Sequence, residues 1–146
     1  MKKLLFISAI LFSASAFAQS STDDQPVRQC EVMPIMTSCE GATGVNADRC
    51  TQASIMEFLG ENITYPTIAK EIGLEGTVYV TFVIEKDGTV AAARILRGLG
   101  DDDASKSLEE AAVSAISKLP SFKPGTQNGA AVRVQYAIPV KFVLAD

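Results

Sequence analysis

The chain has 146 residues, with 13 basic and 17 acidic side chains and no histidine. The net charge of −4 argues against nucleic-acid binding, because contacts with the phosphate backbone need a basic surface. The lack of histidine removes the usual general base and the Ser-His and Cys-His catalytic pairs. We therefore expect a protein that is not an enzyme and that holds neither a metal ion nor another cofactor.

Residues 1–18 have the pattern of a secretory signal peptide. Lys2-Lys3 form a charged start, Leu4 to Ala14 an apolar stretch, and Ala16-Phe17-Ala18 a small-residue cleavage site. The apolar stretch is shorter than the ~20 residues that a spanning helix needs. We expect cleavage before Gln19 and a periplasmic protein. The alternative is an uncleaved anchor, the one case in which we expect contact with a membrane.

Three cysteines, Cys30, Cys39 and Cys50, lie in the N-terminal half of this exported chain, where disulfides persist. Three pairings are possible, and we favour Cys39 with Cys50 because Cys30 lies nearer the mature terminus. Cys30 would then be free or would link to another molecule. Residues 19–30 are polar and predict a flexible mature N-terminus, and residues 31–64 form a cysteine-containing segment with a helix.

Two helices are predicted before the first long strand. Thr51 can cap a helix whose apolar residues follow the 3.6 period as far as Ile63. A short helix begins with Pro66 in its first turn and ends at Gly73. The apolar residues expected on one face of this second helix are Ile68, Ala69 and Ile72. Between residues 31 and 46 no period is sustained, so we expect a loop.

A hairpin follows the second helix. The near-continuous apolar run Thr77–Ile84 predicts a central strand, because such strands are buried on both faces. Glu85-Lys86-Asp87-Gly88 predicts a tight turn with Gly88 at positive φ, and Thr89–Arg97 predicts the returning strand.

The last predicted elements are a helix and a strand. Apolar residues from Leu108 to Leu119 recur at helical spacing, and Asp102 or Asp103 supplies the cap. The run from Val132 to Leu144 predicts the last strand. Pro139 within that run indicates an edge strand or a bulge, because proline cannot donate to a ladder.

These motifs, taken together from Tyr65 to Leu144, resemble the C-terminal domain of the TonB family. The motifs that carry the resemblance are Tyr65-Pro66, Glu75-Gly76, Asp87-Gly88, Phe122-Lys123-Pro124-Gly125 and the final Val132-x-Val134-x-Tyr136-x-Ile138-Pro139-x-x-Phe142. The resemblance implies an α+β fold in which two or three helices pack on one face of a three-stranded antiparallel sheet. We expect this TonB C-terminal-like domain to span residues 65–146.

The resemblance also implies a binding site. In TonB proteins a "TonB box" peptide of an outer-membrane receptor adds to the last strand, by the general mechanism of β-augmentation. Carried over to this chain, the edge would consist of Val132, Arg133, Val134, Gln135 and Tyr136. Its flank would consist of Thr64, Tyr65 and Pro66. Plain packing is the alternative role for Tyr65 and Tyr136.

The sequence departs from a full TonB protein, which has an uncleaved membrane anchor with a Ser-x-x-x-His pattern and a long proline-rich spacer. It is more similar to small exported TonB-like proteins of the Bacteroidetes type. We therefore expect a module linked to TonB-dependent transport that binds an extended peptide of an outer-membrane receptor or another envelope protein. The alternative is a structural or regulatory module that homodimerises through the same sheet edge without transducing energy.

Overall fold

The computed structural model describes residues 25–144, so the predicted signal peptide lies outside the described residues. The elements follow one another as β1 (Ile35–Met36), α1 (Val45–Asn62), α2 (Thr67–Glu71), β2 (Gly76–Ile84), β3 (Val90–Arg97), α3 (Asp103–Ser117), β4 (Phe122–Lys123), β5 (Gly125–Gln127), β6 (Ala130–Val132) and β7 (Val134–Phe142). A turn of 3-10 helix, Thr37–Cys39, follows β1. Within residues 25–144, no helix is both long enough and apolar enough to cross a membrane.

The main sheet is three-stranded and antiparallel, in the order β3-β2-β7. The predicted central position of β2 is confirmed, since this strand has a neighbour on each side. Its alternate residues Val78, Val80, Phe82 and Ile84 are fully buried and share one core with the helices. The three-stranded antiparallel sheet with its three helices confirms the predicted α+β fold.

The β2–β3 hairpin has the turn that its sequence predicts. The Glu85 N–H donates to the Thr89 carbonyl at 2.8 Å, and Gly88 has a φ of 86°. The carbonyl of Phe122 lies only 1.8 Å from where a Cβ at Gly88 would be, so glycine is required by space as well as by conformation. On the returning strand, Ala92 has a φ of 52° where the register shifts, which marks a β-bulge.

Helix α3 begins with a capping aspartate and covers the sheet. The carboxylate of Asp102 accepts from the Ser105 N–H at 2.9 Å. Of the two residues predicted as the cap, Asp102 and Asp103, it is therefore Asp102 that caps the helix. Leu108, Ala112 and Ile116 recur at helical spacing and are fully buried against the core. The predicted amphipathic pattern is thereby confirmed.

Helix α1 starts earlier than the sequence predicts. Its first residue is Val45, after Gly44, so the predicted cap Thr51 is wrong and lies inside the helix. Thr51 is fully buried, and its Oγ1 accepts from the Met36 N–H at 3.2 Å. The hydroxyl therefore ties β1 to the helix rather than capping it. The early turns contain Cys50, whose bond to Cys39 holds this part of α1 against the preceding segment.

Helix α2 is short, and the prediction of its buried face is partly wrong. Pro66 is the N-cap just before the helix rather than a residue of its first turn, whereas Gly73 ends the helix with a φ of 68°, as expected. Ala69 is fully buried, but Ile68 and Ile72 are exposed. A helix of little more than one turn buries a narrower stripe than the 3.6 period suggests.

The predicted last strand, 132–144, is divided into two parts. Val132 ends β6, which pairs with β5 across a turn at Asn128-Gly129, while β7 begins at Val134. The two-stranded β5–β6 arm was missed, although Asn-Gly between short runs is a hairpin signal. The strand pairing of Phe122 with Met36 in β4 and β1 was missed too, because two-residue strands have no periodicity to detect.

The disulfide between Cys39 and Cys50 confirms the favoured pairing, and Cys30 is a free thiol. The bond closes a loop over a sequence separation of 11 residues. Replacing both cysteines by alanine should lower the free energy of unfolding by about 3 kcal/mol, because the unfolded chain regains the freedom that the loop restricts. Urea unfolding measures this difference.

The matched control for that measurement is Cys30→Ser. The Cys30 thiol donates to the Val32 carbonyl at 3.0 Å, and a serine hydroxyl can do the same. We expect this variant to lose less than about 1 kcal/mol. An equal loss in the control and in the double variant would contradict a specific role for the disulfide.

Candidate functional site

The outer side of β7 is a sheet edge, because β2 occupies its other side. The segment before β1 binds this edge at one point. The Val27 N–H donates to the Arg133 carbonyl at 2.9 Å, and the Gln135 N–H donates to the Val27 carbonyl at 2.8 Å. These two bonds form a parallel bridge between Val27 and Val134. The edge therefore accepts an extended segment in the folded protein.

The bridge identifies which backbone groups of β7 face outwards. Since Gln135 points its N–H away from β2, alternation places Ala137, Pro139 and Lys141 in the same orientation. The pairing of β7 with β2 has no register shift, so the alternation is unbroken. Pro139 thus stands where its missing N–H removes no bond to β2, which explains how a proline fits in this strand.

The five residues predicted for the edge have different orientations. Val132 belongs to β6, and Val134 is fully buried with its backbone groups turned to β2. Tyr136 is half-buried, and its ring stacks on Phe82 at a centroid distance of 5.7 Å. The outward backbone groups are the carbonyl of Arg133 and the N–H of Gln135.

Side-chain contacts fix the N-terminal half of β7 to β2. The guanidinium of Arg133 donates to the carboxylate of Glu85 through two bonds of 2.7 and 3.0 Å. The Gln135 side-chain amide donates to the Thr81 hydroxyl at 2.9 Å, and that hydroxyl donates to the Tyr136 carbonyl at 3.0 Å. These bonds leave the outward backbone groups of Arg133 and Gln135 in place for an added strand.

The predicted flank lies at the opposite end of β7 from the predicted edge. The ring of Tyr65 packs edge-on against Phe142 at a centroid distance of 5.6 Å, and its hydroxyl donates to the Leu74 carbonyl. Phe142 is the last residue of β7, whereas the predicted edge ends at Tyr136. Tyr65 is therefore brought together with the C-terminal half of the strand and also contributes to packing.

A groove of about 600 Å³ lies between α1 and the C-terminal half of β7. Its lining residues are mostly apolar, and Lys141 is the one charged residue among them. Residues of α1 and its end that line it are Met56, Leu59, Gly60 and Ile63; those of β7 are Pro139, Val140, Lys141 and Phe142. The groove thus joins the outward backbone groups of β7 to an apolar wall.

Two titratable groups near β7 have pKa values that are shifted by their surroundings. Burial raises the pKa of the Tyr136 phenol, and the neighbouring carboxylate of Asp48 raises it further. Burial also raises the pKa of the Cys30 thiol, so less of the reactive thiolate forms at neutral pH. Among residues 25–144 no group of three or more potential metal ligands comes together.

Sequence reasoning missed two residues of this site. Val27 is a single apolar residue among polar neighbours, so no periodicity indicates that it pairs with a strand. Gly60 lies inside the predicted first helix, where a glycine lowers helix stability. In the structure it lines the groove, and a Cβ there would meet no atom within 4 Å.

Comparisons with known proteins place the chain. The family model of the Gram-negative bacterial TonB protein C-terminal domain matches residues 61–144, which is more than half of the 146 residues. An NMR structure of the Helicobacter pylori TonB C-terminal domain is similar, with 24% identity, a TM-score of 0.50 and coverage of 73% of this chain and 88% of that chain. A second NMR structure of that domain has 25% identity and a TM-score of 0.43, covering 65% and 95%.

A comparison with curated protein sequences found no match. The first of these structures supports the fold. The family model supports the membership, because it matches the segment that contains β2, β3, α3 and β7. The chain therefore belongs to the family of Gram-negative bacterial TonB C-terminal domains.

Proposed function

We propose that this protein is a periplasmic binding module without enzymatic activity, which captures an extended peptide by adding it to the outer side of β7. The observation that carries the proposal is the pair of bonds from Val27 to Arg133 and Gln135, because they use the backbone groups that an added strand would use. Main-chain bonds of this kind give affinity for many sequences.

The groove beside α1 would supply selectivity. A peptide paired with Ala137–Phe142 directs alternate side chains to opposite sides. One set of these side chains would meet the apolar wall that contains Leu59 and Ile63. Lys141 favours a carboxylate on the peptide, since it carries the positive charge of the groove. The preferred peptide is thus apolar on one side and carries an acidic residue near Lys141.

The partner we propose is an outer-membrane receptor or another protein of the cell envelope. The TonB C-terminal family is associated with TonB-dependent transport, and the predicted signal peptide would export the chain to the compartment in which such receptors present their periplasmic segments. Of the predicted edge, Val132–Tyr136, this proposal uses the outward backbone groups of Arg133 and Gln135. Of the predicted flank, Thr64–Pro66, it uses the ring of Tyr65.

A direct test is to select binders from a random-peptide library with mature protein, residues 19–146, and to map them by amide chemical shifts. Selected peptides should shift residues 137–142 and the groove side of α1. Peptides that map to another face, or the failure to select any, would overturn the proposal. Sedimentation at micromolar concentration should give a monomer, and a stable dimer through β7 would instead support the homodimer alternative.

Two substitutions on the same strand should change peptide affinity in opposite directions. Ala137→Pro removes an outward N–H and should weaken binding about five-fold or more, whereas Pro139→Ala adds one and should strengthen it about five-fold. Neither removes a bond to β2, so the thermal unfolding midpoint should change little in both. Isothermal calorimetry with a selected peptide measures the affinities. Equal affinities in the three proteins would exclude main-chain pairing at this edge.

Filling the groove should separate binding from stability. Gly60→Trp places a large side chain where a Cβ meets no atom within 4 Å, so peptide affinity should fall at least about ten-fold by loss of the groove. Stability should rise by about 0.5 kcal/mol because glycine is a poor helix former.

Gly60→Ala is the matched control for the groove. It should raise the free energy of unfolding by about 1 kcal/mol and leave peptide affinity unchanged, because the methyl group is too small to fill the groove. Retained binding in Gly60→Trp would show that the peptide does not use this groove.

A further inference from the structure

The segment that contains Val27 has two attachments of different strength. We call residues 25–32 the strap. At its C-terminal end, Val32 and Thr126 exchange two backbone hydrogen bonds of 2.8 and 3.1 Å. The neighbouring Glu31 N–H donates to the Gln127 side chain at 2.9 Å. This end is therefore joined firmly to the β5–β6 arm.

The other end of the strap has fewer contacts. Val27 has the two bonds to β7 already described, and its side chain is 36% exposed. Gln25, Arg28 and Gln29 are exposed. Both ends carry an exposed valine, Val27 at 36% and Val32 at 56%, so the difference between them lies in the additional hydrogen bonds of Glu31 with Gln127 and Asn128. An opening at Val27 would therefore leave the Val32 end attached. Such local opening is typical of segments with exposed hydrogen bonds and few buried contacts.

The strap and a partner strand need the same atoms. The Arg133 carbonyl and the Gln135 N–H are the outward groups at the start of β7, and Val27 uses both. A peptide confined to Ala137–Phe142 would not meet the strap. A peptide that continues to Arg133 would have to replace it, because a strand edge accepts one neighbour.

We propose that the strap is an internal, displaceable occupant of the β7 edge, which a partner peptide must remove at Val27 to pair along the whole strand. This inference rests on the proposed function. Because the strap is covalently attached, its effective concentration at the edge is high, and it competes with any peptide in solution. The apparent affinity for long peptides is therefore the affinity for the open edge multiplied by the fraction of time that the strap leaves the edge open.

The variant that isolates this competition is Val27→Pro, tested in mature protein. It removes the N–H that donates to Arg133 and leaves the rest of the chain unchanged. Val27→Ala is the matched control, since it retains both backbone bonds and trims a half-exposed side chain. The probe is a synthetic peptide with the sequence of residues 22–29, which contains the part of the chain that already pairs with β7.

We expect the probe to bind Val27→Pro about ten-fold more tightly than it binds wild type or Val27→Ala, because the edge is open in that variant. Fluorescence anisotropy measures the affinities. Equal binding by the three proteins would overturn the strap as a competitor and leave edge binding in place. Binding by none of them would overturn the claim that a peptide can take the place of Val27 on the edge; binding at residues 137–142 is tested separately with the selected peptides.

Hydrogen exchange gives a second readout that needs no peptide. The Gln135 amide should exchange slowly in wild type and Val27→Ala, and at least about ten-fold faster in Val27→Pro, because its acceptor has left. An equal exchange rate in the three proteins would show that the strap does not occupy the edge, even if a peptide binds. A difference in rate without binding of the probe would keep Val27 as an occupant of the edge and reject its replacement by a peptide.

Discussion

The constraint on which this structure depends is that β2 has a strand on each side. Its backbone groups pair with β3 on one side and with β7 on the other, so burial of its side chains does not require unpaired backbone polar groups. The same arrangement leaves β3 and β7 with one outward row each. A three-stranded sheet therefore always presents two edges, and the remaining features of the fold determine which of them a partner can use.

The two edges differ in regularity. Strand β3 contains register shifts and the positive φ of Ala92, which interrupt the straight row of donors and acceptors that an added strand requires. Strand β7 pairs with β2 over nine residues without a shift, from Val134 to Phe142. Its outward row is regular apart from Pro139, and α1 provides a wall beside it. Geometry thus favours β7 as the binding edge.

Local sequence signals predicted the parts of the fold that depend on short-range physics. Gly88 in the hairpin, Asp102 as a cap and Gly73 as a helix end act within a few residues, so a pattern is enough to identify them. The start of α1 was not predictable in this way, because the buried positions of its first turns hold a small residue, Ala47, and a polar one, Thr51, which give no apolar signal. The disulfide and the Thr51 hydroxyl stabilise these turns instead. Neither does a pattern reveal the bridge of Val27 to Val134, which joins residues more than a hundred positions apart.

For the binding site, too, local signals predicted one part and missed another. Pro139 identified the edge strand, but the orientation of each residue depends on where β7 begins, and the break at Arg133 between β6 and β7 sets that orientation. Of the five consecutive residues predicted for the edge, Val132 therefore pairs with β5, and the other four alternate between facing outwards and facing β2. A groove that includes Gly60 arises from the packing of α1 beside the strand, which no local pattern contains.

Pro139 has a consequence for symmetry. If two copies of the chain paired through β7 in a two-fold arrangement, each copy would present the same edge, and each would lack the donor at Pro139. The assembly would lose two hydrogen bonds, whereas a complex with a foreign strand loses one. The missing N–H thus destabilises a self-paired dimer more than a complex with a partner strand. One residue without an N–H biases the edge towards an asymmetric complex.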